Sequence, residues 1–326
     1  MVADGSVYVS DIEKHRIVAV DIATGAHRWQ FDAGGRVDSP PTVYQGLCLF
    51  GSHDGYVYCL AADDGRLLWR YLVAPVDQRL VAFGQVESVW PVTGTVLVHE
   101  GIAYAAAGRA PDADGGITVV ALQPRSGEQL WSAKAPSNMV GMCDLLVGHS
   151  DGIYLADQRF DSQTGQCAPA GEEALQLSGG KAGLLETSWF DYDLALRKSI
   201  HTWTACGEQG QLLAFDGSRV FGYHVPEEEP AQLFAAGGQP WSTEVAVPRQ
   251  IRAIACGKSH LVVAGAVARF DPGQGGFLEL RNGATGETVA ERSLPAAPVL
   301  DGLALANGRV YVSLADGQLL AFGRSE

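Results

Sequence analysis

A glycine followed four residues later by a tryptophan recurs along this chain. It appears in D-I-A-T-G-A-H-R-W ending at Trp29, A-A-D-D-G-R-L-L-W ending at Trp69, and Q-P-R-S-G-E-Q-L-W ending at Trp131. The glycines themselves recur as Gly25, Gly65, Gly127, Gly165 and Gly286, with 40 residues between the first two and 38 between Gly127 and Gly165. The 62 residues from Gly65 to Gly127 amount to one period plus an insertion. A chain with such a period folds as stacked copies of one small unit, because no single unit can bury its own apolar face.

Each copy alternates apolar runs with Gly and Asp turns. Examples are S-V-Y-V-S, R-I-V-A-V, Y-V-Y-C-L and L-L-A-F. Such runs, rich in Val, Tyr and Leu and spaced about 8–12 residues apart, argue for short antiparallel strands. No long stretch has helical period. Four strands per period give an all-β, β-propeller architecture of four-stranded antiparallel blades. Seven units can be read, the first beginning at Ser6 and the others at about 40–71, 94–133, 142–170, 211–247, 251–293 and 299–322. An eighth is allowed if the chain is a fragment. The first unit is expected to lack its innermost strand A and the last its outermost strand D. The whole, 1–326, is expected to be one propeller domain cut short at its N-terminus.

The repeat residues have local physical reasons. The turn before the fourth strand needs a positive φ, which Gly supplies at no steric cost. Asp21, Asp161 and Asn282 stand where a side chain can bond the backbone of that turn. Trp29, Trp69 and Trp131 are expected to dock between neighbouring blades, each indole N–H finding a partner. Gly25, Gly65, Gly127, Gly165 and Gly286 complete the blade-docking set.

Charge and composition narrow the partners. A net charge of −14 and a pI of 4.9 argue against nucleic acid and against anionic membrane surfaces. No apolar run is long enough for a membrane span, and M-V-A-D-G-S does not open a secretory signal. Six cysteines are present, none adjacent to another and none in a C-x-x-C, so a zinc or thioredoxin-like site has no support. If Gly51 pairs with Tyr56, Cys48 falls opposite Cys59, and a cross-strand disulfide is one of two readings, buried thiols being the other.

V-Y-V-S and V-A-V-D-I-A-T-G-A-H-R-W, within 7–29, resemble the pyrroloquinoline-quinone-like (PQQ-like) propeller repeat. The resemblance covers nearly the whole chain, strongest in the first three units; in the fourth, Pro169 stands where Trp would fall. The stretches A-G-G-R-V-D-S-P-P-T (33–42), V-D-Q-R-L-V-A-F-G-Q-V-E-S-V-W-P-V (76–92) and S-W-F (188–190) are similar to a subfamily of large exported bacterial proteins. That resemblance implies a periplasmic or extracellular place as part of a longer exported protein. The same repeat builds quinone-dependent alcohol dehydrogenases and a scaffold lipoprotein of outer-membrane assembly. The dehydrogenases carry a vicinal cysteine pair on the quinone and a calcium held by Glu, Asn and Asp. This chain has no such pair, so the resemblance implies neither quinone with calcium nor any other cofactor. The lipoprotein carries a lipidated cysteine near its start, whereas the first cysteine here is Cys48, inside a strand.

Loop length points to a working face. In a propeller the D–A and B–C loops emerge on one side. The insertions at 72–93, 108–115, 171–210 and 266–275 all fall there, while the other turns are short. Binding residues concentrate on long loops carried by a rigid scaffold. The candidates are Arg36, Asp38, Arg79, Gln85, Glu87, Trp90, Arg109, Trp189, Asp191, Tyr192, Trp203 and Arg269. Arginine forks suit carboxylates, and Trp faces suit sugars or cations. The alternative is that the charges only order the loops and the tryptophans plug the channel. No catalytic residue and no metal ligand is expected. Asp112 and Asp114 in P-D-A-D-G-G lack the other ligands of a calcium loop. G-H-S-D-G (148–152) sits at a short turn on the opposite face and reads as a hairpin.

The expected function is a non-catalytic binding propeller for a protein segment or a glycan, monomeric or part of a larger chain. A quinone-dependent oxidoreductase or other enzyme using the channel face, and an outer-membrane assembly scaffold, are the alternatives.

Overall fold

The computed structural model describes residues 1–139 except Phe83, 145–169, 212–225 except Gly217, 230–269 and 271–323, together with the backbone of the strands within 176–210. It is an all-β propeller chain of up-and-down antiparallel sheets, and the one helical element among the described residues is the short 3-10 turn Pro272–Gln274. Two compact units divide it, Met1–Gly171 and Glu172–Glu326.

The first unit holds four four-stranded blades. Their strands are Val2–Ala3, Ser6–Asp11, Arg16–Asp21 and His27–Asp32; then Thr42–Tyr44, Leu47–Gly51, Tyr56–Ala61 and Leu67–Leu72; then Leu97–His99, Ile102–Ala107, Thr118–Leu122 and Gln129–Lys134; then Leu146–His149, Gly152–Leu155, Gln158–Phe160 and Cys167–Pro169. The first blade therefore has a strand A, contrary to expectation. Val2 and Ala3 pair with Val7 and Ser6, a strand of two residues and too short to leave an alternating pattern.

Apolar clusters fill the space between successive blades. Tyr8, Ile17, Ala19 and Trp29 of the first meet Cys48, Phe50, Tyr58 and Leu60 of the second. Leu49, Val57 and Cys59 on the other side of the second blade meet Ala103, Ala105 and Val120 of the third. The third packs on the fourth through Tyr104, Val119 and Trp131 against Ile153, Leu155 and Phe160.

Register corrects the cysteine expectation. Gly51 pairs with Val57, not Tyr56, so Leu49 lies opposite Cys59 and Cys48 opposite Leu60. A one-residue shift sends a side chain to the other face, and the two cysteines end in different clusters as free thiols.

The docking joint is the same each time. Trp29 Nε1 donates to Ala62 O at 3.0 Å, Trp69 Nε1 to Pro124 O at 2.9 Å, and Trp131 Nε1 to Ser162 O at 2.9 Å. Each acceptor lies in the turn of the following blade, and each indole lies on the glycine of that turn. A Cβ on Gly65, Gly127 or Gly165 would stand 2.6 Å from the ring of Trp29, Trp69 or Trp131. The glycine thus serves two needs at once: a φ near +72° and room for the ring. Asp21 and Asp161 bond the turn backbone through Oδ1, as expected.

The second unit carries two four-stranded blades, Leu212–Phe215, Val220–His224, Gln232–Ala236 and Trp241–Glu244, then Gln250–Cys256, His260–Ala266, Gly276–Asn282 and Thr288–Leu294. The last sheet, Pro298–Ala306, Arg309–Leu314 and Leu319–Phe322, has three strands, as expected for a unit without strand D. The stretch expected as a 171–210 loop contains sheet instead. A hairpin of Gln176–Leu177 and Ala182–Gly183 precedes a three-stranded sheet of Glu186–Asp193, Lys198–Ala205 and Glu208–Gly210. The alternation in E-T-S-W-F-D-Y-D and K-S-I-H-T-W-T-A was its signal, hidden by the absence of the Gly–Trp signature. Trp241 was missed too, although G-G-Q-P-W (237–241) has the spacing. It donates to Gly283 O at 3.1 Å and lies on Gly286.

Candidate functional site

Two glycines let the loops of the first unit close over one histidine. The turn after Leu47–Gly51 runs Ser52, His53, Asp54, Gly55, with Gly55 N donating to Ser52 O and φ at +89°. The loop before Thr42–Tyr44 presses on that turn so closely that a Cβ on Gly35 would stand 2.6 Å from Asp54 N. Ser52 Oγ donates to Gly35 O at 3.1 Å, and His53 N to Arg36 O at 2.8 Å. From the other side, the insertion at 72–93 folds into a hairpin of Arg79–Ala82 and Gln85–Ser88, whose Ser88 N donates to His53 O at 2.7 Å.

The side chains held by these contacts form a line of alternating charge. His53 donates from Nε2 to Asp38 Oδ2 at 3.0 Å and from Nδ1 to Glu87 Oε2 at 2.9 Å. Arg36 Nη2 donates to Asp38 Oδ2 at 2.8 Å, and its Nε stands 2.7 Å from Oδ1 in an ion pair bent away from hydrogen-bond geometry. Arg109, from the loop after Ile102–Ala107, donates from Nη2 to Glu87 Oε2 at 2.6 Å and to Ser88 O at 3.2 Å. The order is Arg36, Asp38, His53, Glu87, Arg109, drawn from the D–A and B–C loops around the second and third blades. Glu87 Oε1 accepts no hydrogen bond among the described residues.

Burial decides the protonation. Glu87 is 1% exposed and His53 3%. A histidine with a carboxylate on each ring nitrogen must donate from both, which only the imidazolium does. Burial alone would lower the His53 pKa, but its bonds to Asp38 and Glu87 outweigh that and raise it. Burial would push Asp38 up, yet the hydrogen bond from His53 and the charges of His53 and Arg36 hold it down at about 2. Glu87 is likewise opposed by burial and lowered by the hydrogen bonds from His53 and Arg109. Three cations and two anions leave the line at net +1.

Of the residues expected on this face, Arg36, Asp38, Glu87 and Arg109 are brought together. His53, which joins them, was not foreseen, because S-H-D-G reads as a plain turn. Arg79 is apart, paired with Asp77 at 3.2 Å. Gln85 lies on the hairpin with its Oε1 buried. Trp90 donates to Asp114 O at 2.6 Å and so ties the insertion to the P-D-A-D-G-G turn. Arg269 belongs to the second unit and accompanies Pro248, to whose carbonyl its N–H donates at 3.1 Å. Trp189, Asp191, Tyr192 and Trp203 lie on strands of the 186–205 stretch, and their side chains are outside the described residues. His149 sits in a hairpin turn, its Nδ1 2.5 Å from Asp151 Oδ1.

With blades, repeat joints and site in view, the class is defined as a β-propeller whose first 150 residues are similar to the PQQ-like repeat proteins. The matching family is described as outer membrane protein assembly factor BamB, over residues 1–150. The outer membrane protein assembly factor BamB of Yersinia pestis is 25% identical over 163 residues, which cover 48% of this chain and 37% of that protein. The chain thus matches little more than a third of that relative's length. BamB from Moraxella catarrhalis has a TM-score of 0.60 at 14% identity, covering 98% of each chain. Quinohemoprotein alcohol dehydrogenase from Comamonas testosteroni reaches 0.64 at 14% identity, over 96% of this chain and 69% of that one. At such identities the two structures speak to fold alone, and one fold here serves two unlike functions. No helix among the described residues is long and apolar enough to cross a membrane.

Proposed function

We propose that the chain is a protein-binding propeller rather than an enzyme, and that it works through the D–A and B–C loop face of its first unit. One observation carries this reading. His53, the residue on that face best suited to proton transfer, has both ring nitrogens committed to carboxylates. A general base needs a free lone pair within reach of substrate, and this imidazolium has none. The same line of charges is well suited to another task. It fixes loops from separate blades in one shape before any partner arrives, and preorganisation lowers the entropy cost of binding.

A quinone site finds no support in these residues. Cys48 and Cys59 face opposite sides of one blade, and no two cysteines are adjacent in the sequence. No group of three or more His, Cys, Asp or Glu among the described residues is placed to hold a metal ion. The match to an outer-membrane assembly factor favours a protein over a glycan as partner, and a periplasmic setting for the exchange.

Titration calorimetry tests the reading. The full chain is titrated with pyrroloquinoline quinone plus calcium, with a glycan panel and with a panel of extended peptides. Peptide binding that weakens in Arg109→Gln, with no heat from the quinone, is the expected result. Calcium-dependent quinone binding would overturn it.

A further inference from the structure

The hairpin that brings Glu87 to His53 shows the wrong residues to solvent. Its inner face carries Leu80, Ala82, Gln85 and buried Glu87; its outer face carries Arg79, Val81 and Val86, with Ser88 buried at its base. A strand packed on one side normally turns polar residues to water on the other. Here Val81 is 73% exposed and Val86 54%, and the two stand directly opposite each other. Val76, on the approach to the hairpin, is exposed as well.

Backbone phase adds a second, independent observation. Two residues separate Ala82 from Gln85, so this pair exchanges hydrogen bonds and the next pair, Val81 with Val86, does not. The N–H and C=O groups of Val81 and Val86 therefore point away from the hairpin. Ser88 has the same phase, and its outward N–H donates to His53 O at 2.7 Å. The edge of Gln85–Ser88 is thus engaged at Ser88 and open one step further, at Val86. Among the described residues nothing pairs with the backbone of Val81 or Val86 outside the hairpin itself.

From these observations we infer that Gln85–Ser88 is a strand-addition site for an extended segment of a partner protein. This rests on the protein-binding reading and deepens it. The segment continues the ladder begun at Ser88, bonding the backbone at Val86, and lays β-branched or aromatic side chains at alternate positions over Val81 and Val86. An open edge beside exposed valines is a template for such pairing. The chain's net charge of −14 selects the flanks of the segment. An acidic protein draws in a basic segment and repels an acidic one.

The test uses the full chain and fluorescence anisotropy. The probes are a short peptide of alternating valine and threonine flanked by lysines, the same peptide flanked by glutamates, and a lysine-flanked form with alternate amides N-methylated. The lysine-flanked peptide is expected to bind, with the glutamate-flanked and N-methylated forms each at least about tenfold weaker. Val81→Lys and Val86→Lys are expected to weaken binding by a similar factor, with unchanged melting. Val289→Lys, at an exposed outer-strand position, leaves it unchanged. Peptide binding that ignores Val86→Lys and N-methylation overturns the strand-addition site and leaves the protein-binding reading standing. Silence of the whole calorimetric panel and of all three peptides overturns both. Self-association abolished by Val86→Lys would make a second copy the occupant, and overturns the partner-segment inference.

Discussion

Replacing Gly127 by alanine separates the two demands made on the repeat glycine. Its φ of +71° costs an L-residue about 1–2 kcal/mol. The new Cβ would also stand 2.6 Å from Trp69 Cδ2, well inside contact distance, so ring or turn must shift. Overpacking of that kind costs about 1–3 kcal/mol, giving about 2–5 kcal/mol for Gly127→Ala. The chain contains its own control. Gly25 has the same φ, +72°, but a Cβ there meets nothing within 4 Å. Gly25→Ala is expected to cost only the strain, about 1–2 kcal/mol. Urea unfolding, read through midpoint and slope, gives both values. A third variant closes the argument: in a Trp69→Ala background, Gly127→Ala falls to the cost of Gly25→Ala, since the two residues act as a pair. Equal losses for Gly25→Ala and Gly127→Ala would refute the claim that the ring needs the missing side chain.

Other perturbations read other parts of the structure. Removing His53 as His53→Gln leaves buried Glu87 and half-buried Asp38 short of a cation and is expected to cost about 3–5 kcal/mol near pH 6. Because the His53 pKa is raised, its contribution is complete below its ordinary value of 6.5 and fades as pH rises through the folded value. The stability gap between wild type and variant should therefore narrow toward alkaline pH; a gap that widens would contradict the imidazolium. Asp38 runs the other way. Held at about 2 against an ordinary 3.8, it stabilises above pH 4, and that stability is lost as pH falls toward 2, so Asp38→Asn should flatten the acid limb of a pH–stability profile. Burial pushes the thiols of Cys48 and Cys59 up to about 12, and alkylation by iodoacetamide at pH 8 should reach them only after unfolding. Rapid labelling of the native protein, located by mass spectrometry, would refute their placement.

What could be read in advance follows from how local the cause was. The turn D-I-A-T-G-A-H-R-W contains its own instructions, an Asp to bond the backbone and a Gly for positive φ, so blade period and docking tryptophans were legible. Cys48 and Cys59 were misplaced because a register can only be inferred from the turn between them, and Ser52–Gly55 is wider than an ordinary tight turn. The site was half legible. Insertion lengths pointed to the face on which the line of charges lies, and Arg36, Asp38, Glu87 and Arg109 were among the residues chosen on it. His53 was not, since only the arrival of loops from 36–38 and 87 makes it more than a turn residue. The 186–210 sheet escaped because it lacks the glycine–tryptophan spacing that marks the first three blades.

The joint between blades also has a direction. Each tryptophan precedes its glycine in the chain: Trp29 before Gly65, Trp69 before Gly127, Trp131 before Gly165. During synthesis, which delivers the N-terminal part first, each of the first three blades emerges with its ring unsheltered and waits for the next turn to cover it. The wait is one repeat long where no insertion intervenes. The insertion before Gly127 lengthens it, at an entropy cost that grows only slowly with loop length. Assembly of these blades is thus biased to run as a ratchet from the N-terminus, and among the first three the blade most recently made is the one with an uncovered indole.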